Sequence, residues 1–327
     1  MDFFQNIVLK KTALGNNNLI TEPSTMHIAF GIDANFTIGT GVLIYSILQH
    51  NSKNMVFHIF TDNMYADDIA RFKQLCNNND NICIVIYYMN QETFSKLPVS
   101  FNWTQATYYR FAVCKYLQST ANSVLYLDSD ILCLNNFEYL FEKTFNDKIA
   151  MVVSDIPEMI AYAKKNLSSN FKIYFNAGMM YINLREWAKQ DISNKAIDLL
   201  QKNNFEFHDQ DALNILLLDK TIILNNQFDT IYNLALTNRT IHKNTIFLHY
   251  VGKAKPWQLW AQYHQITKLW LKYKNSSPFK DVPILSPQTY KQAKYMGKMS
   301  RRNNKIFTSL YWYYKYSLWK IKTKLTL

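Results

Sequence analysis

Ser123-Val-Leu-Tyr-Leu-Asp-Ser-Asp-Ile-Leu-Cys133 is a strand sequence that ends in two acids. Val124, Leu125, Tyr126 and Leu127 form an apolar run of the length of a buried strand, and the run stops on Asp128 and Asp130. Like charges at the end of a buried strand repel and lose solvation unless something positive sits between them, and a divalent cation is the usual occupant. Asp-x-Asp in this setting points to a metal site. Hard carboxylate oxygens suit magnesium or manganese, ions that bridge to the phosphates of nucleotides. A solvated acidic turn is the other reading, and the rest of the chain has to separate the two.

The chain has 327 residues, 48% of them hydrophobic, enough for one large or two ordinary domains with a real core. With 7 glycines and 7 prolines it is neither fibrous nor disordered. Cys76, Cys83, Cys114 and Cys133 show no Cys-x-x-Cys spacing, and they read as reduced thiols of a cytoplasmic protein. Met1 to Ser24 lacks the apolar core of a secretion signal, and no run approaches the roughly 18 to 20 apolar residues of a membrane span. The net charge of +12 is concentrated at one end: after Asp281 there are ten Lys or Arg and no acid, so residues 1 to 281 carry 12 − 10 = +2. That balance argues against a body that binds nucleic acid.

Residues 1 to 25 are polar and asparagine-rich, an extension packed on the body or partly disordered. Met26 to Asp33 reads as a first strand and Thr37 to His50 as a helix, with Asp33, Asn35 and Phe36 in the turn between them. Those three can meet a base or ribose; as a local feature they make an N-cap and a core aromatic. Met55 to Thr61, Ile82 to Tyr88 and Ile149 to Val153 read as further strands, and Ala66 to Cys76 and Thr104 to Leu117 as helices. This alternation predicts a mostly parallel sheet covered on both faces, with its site at the carboxyl ends of the strands. There is no Gly-x-Gly-x-x-Gly after the first strand and no Gly-x-x-x-x-Gly-Lys, which weakens dinucleotide and phosphate-loop readings.

Tyr174 to Leu184 carries Asn176-Ala177-Gly178, where a glycine beside an amide lets ligand and backbone approach closely. A helix is predicted from Arg185 to Lys202. His208-Asp-Gln-Asp211 then opens another; its acids are ordinary first-turn residues, but capping does not require Gln210. Phe247-Leu-His-Tyr-Val-Gly-Lys-Ala-Lys-Pro-Trp257 ends a strand on a histidine and follows it with a glycine turn and a lysine. His249 alone is more often structural; joined to Asp128 and Asp130 it becomes a candidate third ligand, with Gly252 and Lys255 candidates for a diphosphate.

Taken together, Phe30-Gly31-Ile-Asp33-Ala-Asn35-Phe36, Arg110, Asp128-Ser-Asp130, Asn176-Ala177-Gly178, Asp209-Gln210-Asp211 and His249 to Trp257 resemble the retaining glycosyltransferases of family 8 over about Met26 to Leu271. Within that family the chain is most similar to bacterial lipopolysaccharide core glucosyl- and galactosyltransferases. The resemblance implies a Rossmann-like GT-A fold in residues 26–275, after an extension in 1–25, with a basic, aromatic and helical tail in 276–327. It implies that Asp128, Asp130 and His249 hold manganese or magnesium against the diphosphate of a UDP-sugar. Gly31, Asp33, Asn35 and Phe36 would receive uridine, and Gly252 and Lys255 the phosphates. Arg110, Asn176, Asp209 and Gln210 would line the donor sugar as the catalytic residues, with Gln210 near the anomeric carbon, and Ala177 and Gly178 would join Asp128 among the donor-binding residues. Ala34 and Phe36 depart from an acid and a tyrosine found in other members; stacking on uracil survives the second change and a hydroxyl contact does not.

The same resemblance implies a lipid-linked core oligosaccharide as acceptor and no nucleic acid partner. The tail is expected to attach the enzyme to the anionic inner face of the bacterial inner membrane: Lys298, Arg301, Arg302 and Lys305 precede an aromatic stretch from Phe307 to Trp319. Two alternatives are a glycogenin-like self-glucosylating transferase, raised only by the 22 tyrosines, and an inactive body whose basic tail binds nucleic acid.

Overall fold

The computed structural model describes residues 3–77, 79–95, 97–98, 104–234 and 240–325, so the outermost two residues at each end of the chain lie outside the described residues. Two compact units divide it, one formed by Met1–Ile231 with Thr240–His249 and the other by Tyr232–Arg239 with Tyr250–Leu327.

In the first unit the strands are β1 (Val8–Gly15), β2 (Met26–Ile32), β3 (Met55–Thr61), β4 (Ile82–Met89), β5 (Ser123–Leu127), β6 (Ile131–Cys133), β7 (Ala150–Ser154), β8 (Phe175–Asn183), β9 (Thr221–Leu224), β10 (Thr230–Ile231) and β11 (Phe247–His249). Its helices are α1 (Thr37–His50), α2 (Ala66–Cys76), α3 (Gln91–Phe94), α4 (Tyr109–Leu117), α5 (Pro157–Asn166), α6 (Leu184–Lys189), α7 (Ile192–Lys202) and α8 (His208–Leu216). Eight strands make one sheet in the order β1-β4-β3-β2-β5-β8-β7-β9, and β10-β11-β6 make a second. Strands β2, β3, β4 and β5 pair in parallel, as do β7 and β9, while β1 and β8 run against their neighbours. The large sheet is therefore mostly parallel. Every residue of β3 is buried, so both of its faces are covered, as its largely apolar sequence requires.

The expected helix from Arg185 to Lys202 is two helices. The chain turns at Asp191, whose φ of 51° lies in the left-handed region, and the turn lets buried Trp187 Nε1 donate to Ser193 Oγ at 2.9 Å. Ser193 in turn donates to the carbonyl of Phe111, tying the break to α4. In the extension, β1 adds an antiparallel edge strand to β4. Its side chains are mostly exposed, which is why alternation does not betray it.

Strands β2, β3 and β4 also bury a polar chain. His27 Nδ1 lies 3.0 Å from His58 Nε2, and His58 Nδ1 lies 2.9 Å from the hydroxyl of Tyr87. Burial pushes His27 from 6.5 down to about 4 and His58 well below its ordinary value. The unfolded chain then binds more protons than the folded one between pH 6.5 and 4. Stability is complete above the unfolded value and falls as the pH drops through that window. His27 alone accounts for a loss of about 2 to 3 kcal/mol between pH 7 and 4.5. Urea midpoints at the two pH values should show a smaller loss in His27→Gln; an equal loss would mean that this ring is not the acid-sensitive group.

The second unit contains α9 (Thr267–Ser276), α10 (Tyr290–Arg302) and α11 (Ile306–Leu325). Thr289 and Gln292 close a capping box on α10. Helices α10 and α11 form a hairpin held by Ser309 Oγ donating to Gly297 O at 2.9 Å. A Cβ at Gly297 would lie 3.3 Å from the Tyr313 ring, so the glycine permits the close approach. Away from α10, Phe307, Leu310, Tyr311, Tyr314, Leu318 and Ile321 are exposed at helical spacing along α11.

Candidate active site

Asp128 follows directly on β5, and the ladder extends one bond beyond that strand because Asp128 N–H donates to Gly178 O at 2.7 Å. Ser129 is locked to α1 by a 2.7 Å hydrogen bond between its hydroxyl and that of Thr40. This holds the turn that presents Asp128 and Asp130. Strand β6 leaves the turn and pairs antiparallel with β11, setting Ile131 opposite His249. The short second sheet thus delivers the histidine. Ligand atoms of Asp128, Asp130 and His249 all lie within 4.8 Å of one another, and His249 Nε2 is 3.1 Å from Asp130 Oδ1.

Arg110, on α4, is the cationic hub. Its Nη2 donates to Asp128 Oδ1 at 3.0 Å, and its Nη1 meets both Ala177 O at 2.8 Å and Asp209 Oδ2 at 2.9 Å. The guanidinium also lies 4.8 Å from the ring centre of Tyr126. Burial opposes its charge, but Asp209, Tyr126 and Asp128 outweigh burial and keep it protonated. Asp209 is buried too, and desolvation lifts its carboxyl to about 6 although Arg110 pulls it down.

An amide cluster stands beside this hub. Gln210 Nε2 and Asn176 Nδ2 both donate to Asp155 Oδ2, at 3.1 and 3.2 Å. The amide oxygens are engaged as well: Gln210 Oε1 accepts from Ala177 N–H and Asn176 Oδ1 from Gly178 N–H. A side chain at Gly178 would collide with His249 Cε1 and approach Asp128 Oδ2 to 2.8 Å, so only glycine fits between His249, Asp128 and the Asn176 amide. Helix α8 opens with His208 at φ 37°, a conformation that L-residues rarely adopt. Asp211, fully buried, secures that turn by accepting from Phe207 N–H, Tyr162 Oη and Tyr174 Oη at 3.0, 2.9 and 2.6 Å. Asp211 therefore orients the turn, while Asp209 and Gln210 face the site.

Asp33 caps the turn after β2: its carboxylate accepts from Asn35 N–H at 2.9 Å and Thr104 Oγ1 at 3.1 Å. Asn35 is exposed and Phe36 half-buried. Gly31 sits where a Cβ would lie 3.0 Å from Tyr109 Cβ and 3.1 Å from Ala106 O, so its local role is close packing. Gly252 and Lys255 belong to the second unit. Gly252 has φ 86°, and Lys255 Nζ donates to Tyr250 O at 3.1 Å. Two acids escaped sequence reasoning. Asp155 ends its strand as Asp128 does, a signal that could have found it; Asp229, whose Oδ1 lies 3.0 Å from His249 Nδ1, has no local signature.

The donor set fits a divalent cation. Asp128, Asp130, Asp155, Asp209 and Asp229 stand against the single guanidinium of Arg110, a formal −4 with His249 neutral. Burial opposes a charge on His249, yet Asp229 and Asp130 raise it well above the ordinary imidazole range, so a proton stands where a cation can compete.

A model of glycosyl transferase family 8 matches residues 27–261, and one of the family's C-terminal region matches 266–320. The chain belongs to glycosyltransferase family 8. It is 34% identical to lipopolysaccharide glucosyltransferase WaaO of Escherichia coli K12, with 98% of each chain covered. It is 35% identical to lipopolysaccharide 1,3-galactosyltransferase of Salmonella typhimurium, over 95% of this chain and 96% of that one. In structure it is similar to the galactosyltransferase LgtC, solved with donor and acceptor sugar analogues: TM-score 0.65, 23% identity, 77% of this chain and 96% of that one. This family 8 transferase accordingly has the GT-A fold with a helical C-terminal region.

Proposed function

We propose that this transferase moves a hexose, glucose or galactose, from a UDP-sugar to a hydroxyl of the lipopolysaccharide or lipooligosaccharide core, with retention at the anomeric carbon. The observation that carries this reading is the meeting of the Asp128–Asp130–His249 triad with the Arg110–Asp209 pair and the Asp155–Asn176–Gln210 amide cluster. The names of the relatives supply the acceptor class, and they include both sugars.

Asp128, Asp130 and His249 hold manganese or magnesium, which when bound neutralises charge on the leaving diphosphate. Asp33, Asn35, Phe36 and Gly31 receive uridine, and Gly252 and Lys255 the phosphates. Arg110 fixes Asp128 and Asp209, and Asp209, Gln210, Asn176, Ala177 and Gly178 line the sugar. Gln210 is held at both ends of its amide, Oε1 accepting from Ala177 N–H and Nε2 donating to Asp155 Oδ2. An amide so held is a poor nucleophile. We therefore favour front-face attack. The anomeric carbon–phosphate oxygen bond breaks, the acceptor oxygen bonds on the same face, and the acceptor proton passes to the leaving phosphate.

Released UDP, measured with manganese and a panel of UDP-sugars, tests the donor class. Gln210→Ala should lower turnover about 10- to 100-fold while UDP affinity changes less than threefold. Equal losses in both would make Gln210 structural, and no release from UDP-glucose or UDP-galactose would refute the donor.

The tail attaches the enzyme to the cytoplasmic face of the inner membrane. Among the described residues no helix is long and apolar enough to cross a membrane. The exposed apolar stripe of α11, with Lys315 and Lys322 on one flank and Lys320 and Lys324 on the other, supports a helix lying in the headgroup region. Each basic residue near such a surface contributes about 1 kcal/mol. A chain ending at Leu285 should keep UDP release and lose sedimentation with anionic vesicles; unchanged sedimentation at the same salt would exclude the tail as anchor.

A further inference from the structure

We propose that Asp229 is a positioning residue of the cation site: its carboxylate accepts the Nδ1–H of His249 and so turns the Nε2 lone pair toward the ion. This rests on the reading of Asp128, Asp130 and His249 as ligands. Asp229 stands one residue before β10, which pairs in parallel with β11 and sets Ile231 opposite His249. From there Asp229 Oδ1 reaches Nδ1 at 3.0 Å, while Nε2, on the other side of the ring, lies 3.1 Å from Asp130 Oδ1. The two ring nitrogens are thus divided between two carboxylates. Only the one at Nε2 belongs with Asp128 to the three-residue cluster.

An imidazole that ligates through Nε2 must carry its proton on Nδ1, and a carboxylate can only accept there. Asp229 selects that tautomer and fixes the plane of the ring. A carboxylate in this place also makes the imidazole a stronger donor to a metal than an amide or carbonyl would. The burial of Asp229 points the same way. Its side chain is fully buried and Oδ2 has no hydrogen-bond partner among the described residues. A half-satisfied buried carboxylate is costly, and an uncharged residue would accept the same hydrogen bond with less loss of solvation. The charge itself is used, through the ring, on whatever positive species binds at Nε2.

Binding of manganese alone to the full chain, followed by electron paramagnetic resonance, tests this without turnover. Asp229→Ala should weaken binding about 10- to 100-fold, and Asp229→Asn, which retains an acceptor, should weaken it less. Variants that melt at lower temperature yet bind manganese as wild type does would overturn the proposal, since the carboxylate would then be a structural ion-pair partner only. Wild type that binds no manganese would overturn it together with the ligand reading, so the two failures are distinguishable. Nitrogen-15 NMR of the unmutated chain with magnesium and UDP supplies a measurement that no folding defect obscures. The His249 proton should be found on Nδ1; a proton on Nε2 would overturn the proposal.

Discussion

Asp130→Asn is expected to reduce UDP release from a UDP-hexose by about a thousandfold, because the proposed cation site loses one carboxylate charge with almost no change of volume. Asp130 is 6% exposed and contacts His249, so the same substitution also removes one of the two carboxylates that hold the ring. A chelator should abolish release in wild type and manganese restore it, whereas added manganese should rescue the variant only weakly. Near-normal turnover of Asp130→Asn, or of wild type in chelator, would remove the metal from the proposed reaction. Thermal melting of the variant distinguishes a lost ligand from a lost fold.

Arg110→Met should destabilise the fold by about 3 to 5 kcal/mol and lower the thermal midpoint by roughly 10 °C. The thioether replaces much of the volume, but Asp209, at 3% exposure, is left buried beside Asp128 with no counter-charge. The sign of the pH dependence follows from Asp209. Its carboxyl already stands at about 6 in the folded protein with Arg110 pulling it down, so removing the arginine raises it further. The folded variant then binds more protons than the unfolded chain from the ordinary carboxylate range upward, and its stability falls as pH rises through that interval. The deficit against wild type should be larger at pH 8 than at pH 5. Adding Asp209→Asn should recover part of the stability and none of the turnover. A midpoint for Arg110→Met equal to that of wild type at pH 8 would mean that the pair does not hold this region together.

Much of the architecture is local and therefore readable. Strands β2, β3, β4 and β5 are predominantly apolar runs, and α1 and α2 begin and end on the residues that periodicity marks out. The family motifs lie at strand ends, where a short string of residues carries chemistry that packing alone would not select. Elements at the margins escaped because their sequences are weakly patterned. Strand β1 is an exposed edge, β6 and β10 are three and two residues long, and the break at Asp191 depends on Trp187 meeting Ser193.

By itself, then, the sequence determined the strand that ends in Asp128 and Asp130, the order of the parallel strands' apolar runs, the amide and histidine motifs, and a tail with ten cations and no acid. Each of these is written within a dozen residues or in bulk composition. Only the tertiary structure decided which groups share protons and charges. Asp128, Asp209 and Ala177 are far apart in the chain and meet through the one guanidinium of Arg110. Asp155 gathers Asn176 and Gln210, and Asp229 reaches His249 only because β10 lies beside β11. Hydrogen bonds act over about 3 Å in space whatever the separation along the chain, so partners joined by sheet pairing leave no trace in local sequence.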